Sequence, residues 1–168
     1  MKMLAPLFLA GGLISAASGA FASEADFLKS LHGSWSGTGS VKVRVNSSPI
    51  KVNCSFDSDA TDTSLSLDGN CRGLVVISRA IGADLKTQGG KYSGSYTGAG
   101  TGTAGLNGSR SGDAIQLAIR WAKEVNGDRE ARLTVQKVGA NGMKLTTTDV
   151  DPATGKSVVT SEINLRRS

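Results

Sequence analysis

Few side chains in this sequence have the type and spacing for chemistry, and they bound what the chain can do. There is one histidine, His32, and there are two cysteines, Cys54 and Cys71. His32 is the sole candidate general base. It stands just ahead of a glycine turn, with no Ser or Asp at a recognisable spacing, so no catalytic residues are assigned. One His and two Cys are too few for a zinc site, and no metal is expected. Asp57-Ser58-Asp59-Ala60-Thr61-Asp62 is similar to part of a calcium loop. It lacks the Gly and the distal bidentate Glu of such loops, and a polar hairpin turn explains it better. Gly98-Ala99-Gly100-Thr101-Gly102 is glycine-rich, yet no helix follows to supply the N–H groups that cradle phosphate. No cofactor follows from any of these groups.

Charge set among apolar residues says more. In the run from Leu74 to Ile81, Arg79 shares its strand face with Val75, Ile77 and Ile81. If that face is inward, Arg79 needs an anionic partner from the protein or from a ligand. If Val75 and Ile77 face outward, as the equally apolar Leu74 and Val76 allow, Arg79 is solvated. Tyr92, Tyr96, Arg120 and Trp121 are further candidates for a pocket lining. The chemistry these residues offer is recognition of a small apolar or anionic ligand.

The elements that must position them are strands. Short segments with period-two apolar patterns lie between abundant glycines, 22 in all. Val41, Val43 and Val45 alternate with Lys42 and Arg44, which predicts a strand over Ser40 to Val45. Ile50 to Phe56 alternates Ile50, Val52, Cys54 and Phe56 against polar residues, and Ser64 to Cys71 places Leu65, Leu67 and Cys71 on one face. Further strands are expected over Leu74–Ile81, Lys91–Thr97, Thr101–Ser109, Ala114–Ala122, Ala131–Val138, Met143–Thr148 and Val158–Leu165. Gly89-Gly90, Asn107-Gly108, Asn126-Gly127-Asp128 and Asn141-Gly142 are residues that accept positive φ, as tight hairpins demand. One short helix fits Glu24 to Leu31, where Phe27, Leu28 and Leu31 form a stripe. No helix separates the strands, so a parallel sheet is excluded. The expectation is an all-β fold: an antiparallel up-and-down meander closing into a barrel of 8–10 strands, with a short N-terminal helix.

Both cysteines fall on the inward face of consecutive strands, an arrangement that suits a cross-strand disulfide. It would close a loop of about 16 residues, for which loop-closure entropy gives about 3 kcal/mol.

The N-terminus carries an address. Lys2, the apolar stretch Leu4 to Ile14 and the small-x-small sequence Ala20-Phe21-Ala22 read as a cleavable signal peptide over residues 1–22, with cleavage before Ser23. The stretch is too short to span a bilayer. The expected mature chain, residues 23–168, is a single periplasmic domain. Without Lys2 it has 18 basic and 14 acidic side chains, a net charge of +4. The basic residues are dispersed, so no nucleic-acid partner is expected. Polar outer faces and few aromatics argue against a transmembrane barrel, so no membrane-spanning segment is expected in the mature chain.

Gly33-Ser34-Trp35 opens the barrel region and Ile163-Asn164-Leu165-Arg166-Arg167 closes it. The pair resembles the first and last strands of calycins, the superfamily of lipocalins, fatty-acid-binding proteins and nitrobindin-like barrels. The resemblance implies that Trp35 closes one barrel end and that Arg166 or Arg167 packs across its indole, a cation–π contact. It also implies binding of a small amphipathic or lipid-like ligand without catalysis. Nitrobindin-like barrels hold haem through a His near the C-terminal end, whereas His32 precedes the first strand, so haem is not expected. In layout the chain also resembles small periplasmic protease inhibitors with calycin-like barrels, whose inhibitory trunk would correspond to Ser23 to Leu31. A protein-interaction role, as such an inhibitor or as an envelope stress or assembly factor, is the alternative. Taken whole, the sequence resembles an exported protein family of alphaproteobacteria, a likeness that brings no activity with it.

Overall fold

In the computed structural model the described residues are 23–73, 77–98 and 100–168, with Ile77 described by its backbone alone. Residues 1–22, where a signal peptide is expected, the first three residues of the apolar run 74–81 and Ala99 lie outside them.

The described chain begins with helix α1, Glu24–Ser30. Ser23 caps it, its Oγ accepting from the Asp26 N–H at 3.1 Å, which satisfies one of the N–H groups a helix start leaves open. Ten strands follow: β1 Gly33–Val41, β2 Ile50–Ala60, β3 Ser64–Gly73, β4 Ile77–Gln88, β5 Lys91–Thr97, β6 Ala104–Ser111, β7 Ala114–Val125, β8 Asp128–Val138, β9 Gly142–Val150 and β10 Ser157–Arg167. Each pairs antiparallel with its sequence neighbour, and β1 pairs with β10, so the sheet closes and leaves no edge. The expected fold class is the observed one.

Period-two patterning decides which side chains enter the barrel. Along β7, Ile115, Leu117, Ile119 and Trp121 are buried while Gln116, Ala118 and Arg120 face out. Along β2, Val52, Cys54, Phe56 and Ser58 alternate inward. Two hairpin signals act as expected: Gly89-Gly90 takes φ of 56° and 74°, and Asn126-Gly127 takes 55° and 101°, values that cost Gly little and Asn less than most residues.

Three sequence expectations are corrected. The first strand runs Gly33–Val41 and stops short of Val45. Beyond it, the Ser47 hydroxyl accepts from the Arg44 N–H at 3.1 Å and donates to the Arg44 carbonyl at 2.9 Å. This local turn outcompetes the ladder despite the Val alternation. Asp57 to Ala60 continue β2, with Asp57 and Asp59 pointing outward, so the supposed turn is confined to the residues around Thr61 to Thr63. Asn107-Gly108 lies inside β6, not in a turn. Gly108 is needed there for close approach: a Cβ would stand 1.9 Å from the Gln116 carbonyl oxygen of β7.

Candidate functional site

The two ends of the barrel are built differently. At one end α1 acts as a plug, burying Phe27, Leu28 and Leu31. Trp35 sits beneath it, 1% exposed, its Nε1–H donating to the Leu31 carbonyl at 3.0 Å. Register places Trp35 opposite Arg167, and the guanidinium lies over the indole, 4.3 Å from its centroid. Arg167 also donates to the His32 carbonyl and, at 2.9 Å, to the Ser30 carbonyl. One side chain thereby closes the ring, tops the tryptophan and satisfies carbonyls at the end of the helix. Arg166, one residue earlier, pairs with Ser36 and points out.

Glu24 fastens the other side of the helix. One oxygen accepts from the Tyr92 hydroxyl and the other from Arg110 Nε at 3.0 Å, while Arg110 covers the Phe27 ring at 4.6 Å. Burial, the hydrogen bond to Glu24 and the Glu24 charge, in that order, push the Tyr92 phenol well above its ordinary range. Tyr92, expected as a pocket residue, is therefore an anchor for the plug.

The opposite end is open onto a cavity of about 290 Å³. Its wall is mainly apolar: Val41, Val52, Ile81, Trp121, Val125 and Ile163 contribute. Cys71 reaches it as well, disulfide-bonded to Cys54 directly across the β2–β3 ladder with a Cα–Cα distance of 4.1 Å. Tyr96 and Trp121 meet edge to face in the wall, ring centroids 5.9 Å apart and planes at 69°, a favourable aromatic geometry. Burial pushes the Tyr96 phenol up, against the opposing pull of the nearby Arg79 charge. Trp121 Nε1–H is buried with no acceptor among the described residues.

Arg79 stands at the mouth. Register pairs it with Cys71, so its Cβ is on the inward face, which resolves the choice between faces. It is nevertheless exposed, because it stands where the barrel opens. Among the described residues no carboxylate lies within ion-pair distance of it. Its guanidinium instead leans on the glycine-rich stretch after β5, where a Cβ on Gly100 would stand 2.8 Å from Nη1.

Arg120 is placed elsewhere. It faces outward from β7 and pairs with Glu130 at 2.8 Å, both side chains well exposed, and takes no part in the cavity wall. Period two carries it to the face opposite Trp121. His32 lies at the plugged end, exposed, with Nδ1 3.6 Å from an Asp59 oxygen.

Several residues at the mouth were not singled out by sequence. Asp149 is 3% exposed and lines the cavity. Its Oδ2 accepts from Asn126 Nδ2 at 2.6 Å and its Oδ1 from the Val150 N–H at 2.8 Å. Asn126 Oδ1 in turn accepts from the Val45 N–H at 3.2 Å, tying the β1–β2 loop across the opening. A signal for Asp149 existed: it is the inward-phase residue after Met143, Leu145 and Thr147. The two ladder irregularities also fall at this end, between Arg120 and Val125 and between Val159 and Ser161. In the first, Arg129 Nε donates to the Trp121 carbonyl at 2.8 Å, supplying the partner that the bulge removes.

No protein-family profile matches the chain, and no curated protein matches it. Among solved structures it is similar to Rv2717c from M. tuberculosis, with a TM-score of 0.62 and 15% sequence identity over 84% of this chain and 94% of that one. At that identity the likeness shows the barrel fold.

Proposed function

We propose that the chain is a non-enzymatic periplasmic binding barrel, calycin-like in design, that takes a small amphipathic or lipid-like ligand into the open end. The observation that carries this reading is the cavity. Its walls are mainly apolar and it opens to solvent; the polar groups among them are Arg79, Tyr96, Trp121 Nε1–H, the Asn126–Asp149 pair and the hydroxyl residues Thr147, Thr160 and Ser161. Sparse polar groups in an apolar concavity are how small-molecule sites fix orientation. The Trp35–Arg167 stack supports the calycin-like reading, and the disulfide accords with an oxidising compartment.

The inhibitor reading fits the geometry less well. A trunk made of Ser23 to Leu31 would have to leave the barrel end and expose Phe27, Leu28 and Leu31, at about 1.5–3 kcal/mol for each large side chain.

The test is native mass spectrometry of the protein purified from the periplasm of its own host, followed by denaturing extraction. The expected result is an apolar or amphipathic small molecule near one equivalent. A protein that carries no small molecule, whether bare at the predicted mature mass or bound to a partner protein instead, would overturn the proposal.

A further inference from the structure

Asp149 is a buried carboxylate without a cation. It lines the open cavity, and among the described residues no Lys, Arg or His lies within ion-pair distance of it. Its two hydrogen bonds come from neutral donors, Asn126 Nδ2 and the Val150 N–H. These orient the group and leave its charge unbalanced. A carboxylate offers about four lone-pair sites, so about two remain for a further donor. Burying an unmatched charge is costly, and a partner cation offsets part of that cost. Arg79 does not serve. β8, β7, β6 and β5 separate its strand from that of Asp149 on one side of the ring, and β10, β1, β2 and β3 on the other. The two residues therefore stand on opposite walls of the mouth, and Arg79 is exposed to solvent.

The wall around Asp149 suits one kind of cation. Thr147 precedes it on the inward phase of β9, and Ser161 of β10 pairs with Thr147. The ladder shifts between Val159 and Ser161, so the adjacent residues Thr160 and Ser161 both reach the cavity, which strict alternation forbids. The irregularity thereby puts hydroxyl oxygens on the same stretch of wall as the carboxylate. A primary ammonium carries three N–H donors, which a carboxylate and hydroxyl oxygens accept together. A quaternary ammonium has none and would leave the hydroxyls unmet. Elsewhere the cavity offers Val52, Ile163 and the edge-to-face pair of Tyr96 and Trp121, an apolar surface whose ring faces also attract cations. The expected mature chain is net positive, so its overall field does not gather cations, and any preference for one is local.

Building on the binding-barrel reading, we infer that the ligand is an amphipathic primary amine. Its ammonium is held by Asp149 with the hydroxyls of Thr147 and Ser161, and its apolar remainder lies against Trp121, Val52 and Ile163.

Calorimetric titration of the full mature protein at neutral pH tests this, with octylammonium, octan-1-ol and octanoate as probes of equal chain length. Octylammonium is expected to bind tightest. It should exceed octan-1-ol by about ten- to hundredfold, the worth of hydrogen bonds to a charged group. Asp149→Asn keeps the shape and an acceptor for Asn126 while removing the charge. It should erase the preference and leave octan-1-ol binding unchanged. Arg79→Met, on the opposite wall, should keep the preference. The side-chain amide signal of Asn126 reads the site without any substitution, and it should move further with octylammonium than with octan-1-ol. Octylammonium binding no tighter than the other two probes, a preference that survives Asp149→Asn, or an Asn126 amide indifferent to octylammonium would each overturn the inference while leaving a ligand-binding barrel standing. Binding of none of the three would sink both.

Discussion

Trp35 does more for this barrel than its area alone suggests. It is almost fully buried, its indole N–H is satisfied by the Leu31 carbonyl, and a guanidinium covers its outer face. Trp35→Ala should therefore cost about 3–5 kcal/mol in denaturant unfolding, the range for large aromatic truncations in a core. Arg167→Met should cost less, about 0.5–2 kcal/mol for the cation–π contact, with a further loss from the helix-end carbonyls it serves. If Trp35→Ala shifts stability by under about 1 kcal/mol, the residue is not closing the core. Gly-x-Trp and a terminal Arg were legible in the sequence, but the choice between Arg166 and Arg167 was not. Only register makes it, because neighbouring strand residues point to opposite faces. The same rule separates Arg120 from Trp121. Their adjacency in sequence suggested a shared pocket; in a strand adjacency guarantees the reverse.

At the scale of elements, the helix and the strands divide the work. α1 seals one end and is pinned through Glu24 to Tyr92 and Arg110. Because the folded protein holds the Tyr92 phenol above its ordinary 10.0, the unfolded chain loses that proton first as pH rises. From about pH 10 upward the unfolded state then binds fewer protons, and stability falls with pH; below pH 10 the contribution is fully present. Equilibrium unfolding across the alkaline range should show this decline, and Tyr92→Phe should flatten it while lowering stability at neutral pH through loss of the bond to Glu24. An unchanged alkaline slope in Tyr92→Phe would mean that the phenol is not the group responsible. The strands themselves were readable from alternation, since each has one face inside a closed barrel. The β1–β2 loop was not: Val41, Val43 and Val45 keep the strand period, and a hydroxyl-mediated turn at Ser47 overrides it. Asn107-Gly108 misled in the opposite sense. The pair has turn chemistry, but Gly108 serves the tight approach of β6 to β7.

For the whole molecule, the asymmetry between ends is the main result. One end is filled by a helix, a stacked tryptophan and a charged anchor; the other keeps an apolar hollow tied across by Val45, Asn126 and Asp149. Barrel closure was foreseeable from a meander of short strands that would otherwise leave edges. The hollow was not, because it depends on where two ladder irregularities fall and on how far each strand overshoots its neighbour. Arg79 shows the limit well. Its residue type and strand position marked it, yet only the register with Cys71 and the opening of the barrel together place it inward and at the rim.

The central claim is that small ligands enter at this open end. It is tested most directly by amide chemical-shift mapping of isotope-labelled mature protein titrated with octylammonium and with octan-1-ol. Shifts are expected at the cavity end, in Val41, Gly73, Gly98, Val125 and Ser161, with Gly33, Ser30 and Tyr92 at the plugged end unmoved. Shifts centred on the helix end, or no shifts with either compound, would contradict it.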